Sequence, residues 1–127
     1  MFVDMPPGTG DVPLTVMQSL PLDGVIVVTT PQDLVEMIVK KAVKMTELLN
    51  VPIVGFVENM SYFKCPDCGK KHRIFGEGKA EKLKKETGKP VEELPIDPEI
   101  ASLADHGKIE LVEQNLLTAL ADAVEKL

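Results

Sequence analysis

Residues 24–29 read "GVIVVT", a continuous β-branched run after Gly24 with no charged residue to mark a solvent face. A strand of that kind is covered on both sides, so helices have to pack above and below it. The residues that follow supply such a helix. Thr30 is placed to cap its N-terminus, Pro31 to take the first helical position and Asp33 to add negative charge to the first turn. Leu34, Ile38, Ala42, Met45 and Leu49 recur at helical spacing, with Lys40, Lys41, Lys44 and Glu47 outside the stripe. Asn50 ends the helix and Pro52 forbids its continuation. The next apolar run, "IVGFVE" at 53–58, predicts a second strand. Strand, helix and strand in this order pair in parallel through a right-handed crossover, so the expected fold is α/β, a doubly wound and mostly parallel sheet.

The flanking segments extend the pattern. Residues 2–4 read as the end of a buried strand, followed by a Pro/Gly loop at 5–11 and a short helix from Pro13 to Leu20. Strands usually run about five or six residues, so the chain reads as opening in mid-domain. Helical spacing returns over 78–87, "PVEELPI" predicts a weaker strand, and Asp97 with Pro98 starts a short helix that Gly107 stops. Leu116, Leu117, Leu120, Val124 and Leu127 mark a last amphipathic helix. There is no internal repeat, and residues 1–127 make one domain. Ligands of such sheets bind at the carboxyl ends of the strands. Three polar punctuations are expected there: the loop after Asp4, the turn at Thr29 and Thr30, and Asn59 with Met60 and Ser61.

Charge narrows the functional classes. Fourteen basic residues against 20 acidic ones give a net charge of −6, which argues against a nucleic-acid partner. Lys70, Lys71 and Arg73 cluster, but so short a run is ordinarily a solvated loop. No apolar stretch approaches the roughly 18 residues that span a bilayer, and no signal peptide is visible, so no membrane role is expected. Two cysteines make no disulfide framework. Reduced thiols and a cytoplasmic location follow as expectations.

Both cysteines fall in "CPDCG", Cys65 to Gly69, inside a polar loop at 61–76. A tight turn of this form directs two thiolates to one point, with backbone N–H groups to stabilise them. Redox catalysis would place the pair at a helix start, whereas Gly69 and the basic residues here suggest a hairpin tip. A metal site is the better reading, yet two sulfurs are half of a tetrahedral set. His72 is either a third zinc ligand or a solvated side chain. A two-fold homodimer giving Cys65 and Cys68 from each subunit closes the site more simply, and four thiolates suit both [4Fe–4S] and zinc. Met60, Tyr62, Phe63 and Phe75 form either an apolar collar around it or ordinary core and dimer contacts.

The loop "DMPPGTGD" carries a second kind of chemistry. A carboxylate such as Asp4 suits Mg²⁺, and Gly8 and Gly10 let backbone N–H groups approach a phosphate. Asp11 is placed to orient a water or to cap the following helix. A plain Pro-Gly turn with an N-cap fits the same residues.

Taken together, "VDMPPGTGDVPLTVMQSLPLDGVIVVTTPQ" and "NVPIVGFVENMSYFKCPDCGKKHRIFGEG" resemble the Mrp/ApbC family of iron–sulfur cluster carriers, P-loop ATPases related to the ParA/MinD group. The resemblance covers residues 2–109. One departure is large: nothing matches G-x-x-x-x-G-K-[ST], and "GKAEKLKK" lacks the spacing. The chain therefore resembles the C-terminal half of such an ATPase and is expected not to hydrolyse ATP alone. The resemblance implies Asp4 as the Walker B aspartate that positions Mg²⁺ and Gly8 as the switch glycine near the γ-phosphate. It implies Asn59 as the reader of the adenine edge, with Pro95 and Asp97 in the loop closing around the base. Asn59 as a turn cap and Asp97 as an N-cap are the structural alternatives. It also implies a labile [4Fe–4S] cluster bridging a homodimer through the CxxC loop, with zinc as a substitute, and delivery to recipient iron–sulfur apoproteins. In this family the phosphate-loop strand lies beside the Walker B strand, so residues 2–4 are expected to be displaced, disordered or paired with another chain. Two rivals stand beside the carrier: a noncatalytic zinc-stabilised dimerisation module, and a ParA/MinD-like positioning ATPase. The CPDCG loop and the end "ADAVEKL", which is no basic amphipathic tail, weigh against the latter.

Overall fold

The computed structural model describes residues 1–112 and 115–127, and their side chains except at 33–36 and 38. In chain order the elements are α1 (Asp11–Ser19), β1 (Val25–Thr29), α2 (Asp33–Leu48), β2 (Ile53–Lys64), β3 (Lys71–His72), α3 (Ala80–Thr87), β4 (Val91–Ile96), α4 (Pro98–Asp105), a 3₁₀ turn (Ile109–Leu111) and α5 (Thr118–Val124). β2 pairs in parallel with both β1 and β4, and its far end pairs antiparallel with β3. The α/β class and the mostly parallel sheet are as expected.

Side-chain parity along β2 shows how the helices are layered. Glu58 accepts the backbone N–H of Lys79, beside the start of α3. Gly55 has the opposite parity, and a Cβ there would run into the side chain of Leu120 on α5. Successive strand residues face opposite ways, so α3 and α5 cover different faces. α2 shares the α3 side, since the two helices line one cleft. Phe56, Val57, Val39 and Leu120 form the core.

Four expectations need correction. β2 does not stop at Glu58 but runs on to Lys64. Asn59, Met60 and Ser61 are therefore an irregularity within a strand, not its end. Met60 adopts φ 56°, and the register with β4 shifts between Glu58 and Tyr62. The extension follows from pairing, because Tyr62 and Phe63 find partners in Pro95 and Ile96 of β4.

Second, Thr30 does not cap α2. The helix begins at Asp33 after Gln32, and the Thr30 hydroxyl bonds the Gln32 side chain instead. The expected stripe is half-buried at Ala42 and Met45 and at Leu49, the residue after α2, while Val39 and Thr46 are buried. Its members Leu34 and Ile38, and the charge expected from Asp33, lie outside the described residues.

Third, residues 2–4 are not the end of a buried strand. They have no regular secondary structure, and Phe2 is 83% exposed. The expectation that they stand outside the sheet agrees with this. Fourth, the last helix runs from Thr118 to Val124, leaving Leu116, Leu117 and Leu127 outside it.

Other signals acted as read. Asn50 takes the left-handed conformation after α2 (φ 55°). Asp97 caps α4, its Oδ1 accepting from Glu99 N at 2.9 Å. No helix among the described residues is long and apolar enough to cross a membrane.

Candidate functional site

The cysteine turn sits where β2 leaves the sheet. β2 ends at Lys64, β3 returns at Lys71, and the pairs Phe63–His72 and Lys64–Lys71 close the hairpin. Within it Cys65 N donates to Lys70 O at 3.0 Å, and Gly69 N to Cys65 O at 2.9 Å. Gly69 has φ 71°, a left-handed geometry that costs an L side chain energy and glycine none. This is the hairpin tip that the glycine and the basic residues suggested.

Both thiols are free, Cys65 half-buried and Cys68 exposed. The backbone N–H of Cys68, then that of Asp67, then the Cys68 side chain hold the Cys65 thiol below its ordinary pKa. Hydrogen bonds to a sulfur stabilise its thiolate, the form that ligates metal. Among the described residues no group of three or more His, Cys, Asp and Glu could hold a metal ion. His72 is exposed on β3 opposite Phe63 and joins no such group with the cysteines.

The surrounding aromatic residues are mixed in character. Tyr62 and Phe63 are half-buried within β2, and the Lys71 ammonium lies 4.2 Å from the Tyr62 ring centre, a cation–π contact. Met60 and Phe75 are 42% and 40% exposed.

The residues expected on the nucleotide side fall into two groups. Asn59, Pro95 and Asp97 come from the neighbouring strands β2 and β4 and the turn after β4. Asn59 is half-buried and its Oδ1 accepts from Met60 N at 2.9 Å, the local capping contact. Pro95 is half-buried opposite Tyr62. Asp4 and Gly8 lie apart from these, on a groove of about 770 Å³ along β1 with Val25 and Val28. Gly8 has φ 96° and open space around it. A second cleft of about 370 Å³ opens between α2 and α3 above Thr29, Thr30 and Glu58. It lies at the carboxyl end of β1, where such sheets bind ligands.

Four residues converge at the root of the hairpin: Arg73, expected on a solvated loop, with Glu58, Gly78 and Glu93, for which no role was expected. Glu58 is fully buried, and the Ser61 hydroxyl lies 2.7 Å from its Oε1 and Lys79 N 2.7 Å from its Oε2. Arg73 Nη1 pairs with Glu93 Oε1 at 2.7 Å. A glutamate inside an apolar strand was the one available signal, since a buried carboxylate requires partners.

A mostly parallel sheet with helices on both faces and a glycine-rich loop before the first helix defines a doubly wound α/β protein, a class that binds ligands at the carboxyl ends of its strands. Comparison with known proteins makes this specific. The family model for ParA-type proteins described as NUBPL iron-transfer P-loop NTPases matches residues 1–127, and the chain belongs to that family. An iron–sulfur cluster carrier protein of Aquifex aeolicus is 47% identical over 109 residues, covering 85% of this chain and 30% of that protein. One from Clostridium perfringens is 45% identical over 122 residues, covering 94% and 43%. A solved nucleotide-binding protein in complex with ADP from Archaeoglobus fulgidus superposes with a TM-score of 0.79 at 45% identity, covering 87% of this chain and 46% of its own. The chain thus spans less than half the length of these relatives.

Proposed function

We propose that this chain is the cysteine-bearing, C-terminal half of a P-loop ATPase domain that carries an iron–sulfur cluster and delivers it to recipient apoproteins. The observation that carries the reading is the turn at Cys65 and Cys68. It presents two free thiols at a hairpin tip, supplies N–H donors to Cys65, and has no third ligand grouped with it among the described residues.

Two ligands per chain leave the cluster's coordination half complete. Two copies meeting at their cysteine hairpins supply four thiolates, the set a [4Fe–4S] cluster takes. The cluster is cargo, and its transfer is an exchange of thiolate ligands from this turn to a recipient's. In the longer protein Asp4 would position Mg²⁺ and Gly8 would approach the terminal phosphate. Asn59, Pro95 and Asp97 would bound the adenine, and ATP would bias how the two copies meet. A cytoplasmic location suits two free cysteines.

The test is anaerobic reconstitution with iron and sulfide of the wild type beside Cys65→Ser and Cys68→Ser, scoring iron, acid-labile sulfide and oligomer size. The wild type is expected to take up both elements and to double in mass, and each variant to lose most of both effects. Equal loading of all three proteins would end the cysteine assignment. Stoichiometric zinc without sulfide would instead favour a zinc-stabilised dimerisation module.

A further inference from the structure

The hairpin that carries the cysteines has one firmly held arm and one sparsely held arm. The outgoing arm is β2, paired with β4 as far as Phe63 opposite Ile96. The returning arm pairs only at Lys71 and His72, and residues 73–79 then pass through turns and bends before α3. Contacts to two glutamates help to tie that segment back to the sheet. Arg73 Nη1 donates to Glu93 Oε1 at 2.7 Å, and Lys79 N donates to the buried Glu58 at 2.7 Å.

Gly78 stands between these contacts. A Cβ there would run into Arg73 Nη1 and would come within 2.8 Å of Glu58 Oε1 and 2.9 Å of Glu93 Oε1. Gly78 is not among the positive-φ glycines, so its backbone does not demand glycine. The space is nevertheless taken: the missing side chain is where a guanidinium and two carboxylates converge, and an added Cβ would displace those side-chain ends. The Glu93 hydrogen bond, with the charges of Glu93, Glu58 and Glu77 behind it, raises the Arg73 pKa further and keeps the cation in place.

We infer that Arg73 is a positioning residue for the metal turn, holding the returning arm against Glu93 and Glu58 in the space left by Gly78. The arm acts on the sulfurs through Lys70, whose carbonyl accepts the Cys65 N–H at 3.0 Å. This rests on reading the turn as a metal site, and it assigns the turn's geometry to residues outside the CxxC motif.

The probe is Co²⁺ added to the 127-residue chain, followed by thiolate-to-cobalt absorption and by competition with zinc. Arg73→Gln and Gly78→Ala are each expected to weaken cobalt binding about 10-fold, the low end for groups that orient a ligand from outside the coordination shell, and to change the band shape. Exchanging the charges, Arg73→Glu together with Glu93→Arg, is expected to recover most of the affinity. Glu92→Gln, which loosens α5 far from the turn, is expected to leave cobalt binding unchanged. Should Gly78→Ala fail to fold, Arg73→Gln decides, since its side chain is 33% exposed. Wild-type affinity and spectrum in Arg73→Gln would overturn the inference. So would an equal loss in Glu92→Gln, or no cobalt binding by the wild type. A wild type that binds cobalt through the turn but takes up no iron and sulfide would count against the carrier reading alone.

Discussion

Tyr62 lies opposite Pro95 across the parallel pair of β2 and β4. That register joins the two candidate sites. β2 carries Asn59 before the contact and delivers Cys65 just after it, while β4 leads from Pro95 directly to Asp97, the cap of α4.

The Cys65 thiol is expected to ionise at lower pH in the folded chain than in the unfolded one, because folding aims the N–H groups of Cys68 and Asp67 at it. A depressed folded-state pKa contributes stability that is full above the unfolded value and is lost as pH falls through the folded value. Iodoacetamide alkylation of Cys68→Ser, which keeps the backbone donors, should have its pH midpoint below that of the same protein in urea. Coincident midpoints would refute the assignment.

ATP hydrolysis by this chain alone should be indistinguishable from buffer. No lysine-bearing phosphate loop is present in the sequence, and Asp4 is exposed outside the sheet, so the charge stabilisation that phosphoryl transfer needs is not assembled. Phosphate release with Mg²⁺ present measures this. Turnover that disappeared in Asp4→Asn would contradict it.

Asp97→Ala should lower stability by about 1 kcal/mol, the usual cost of losing an N-cap, since its Oδ1 accepts the Glu99 N–H. Asp97→Asn should retain most of that stability. Thermal melts of the three proteins decide, and an unchanged melt in Asp97→Ala would show that the cap contributes nothing.

The face under α5 should be the most sensitive to packing. Leu120 is 2% exposed, and its side chain fills the space a Gly55 Cβ would need. Leu120→Ala should cost about 2–5 kcal/mol as a buried large-to-small change. Gly55→Ala should cost about 1–3 kcal/mol by overpacking, because Pro90 O lies only 2.7 Å from the added carbon. Urea unfolding checks both, and a neutral Leu120→Ala would contradict this placement of α5.

The start of α5 shows what a sequence pattern misses. Leucine spacing put that helix at Leu116 and Leu117, but the chain is left-handed at Leu117 (φ 60°). The first amides of α5 find their acceptor on another element: Ala119 N and Leu120 N each lie 3.2 Å from the Glu92 carboxylate on β4. Helix ends need partners for their unpaired N–H groups, and one supplied from so far along the chain leaves no local signature. Asp97 and Pro98 could be read directly because that cap is local.

Local chemistry thus determined the strand–helix alternation, the parallel class of the sheet, the capped α4 and the paired thiols of the cysteine turn, since each depends on residues close together in the chain. Tertiary structure alone decided that β2 runs past Met60 to Lys64, because the partners of Tyr62 and Phe63 lie in β4. It alone brought Glu58, Arg73 and Glu93 together around Gly78. The physical reason is the same in both cases: backbone pairing and buried charge are satisfied by whatever the fold brings near, and the sequence around a residue does not record what that will be.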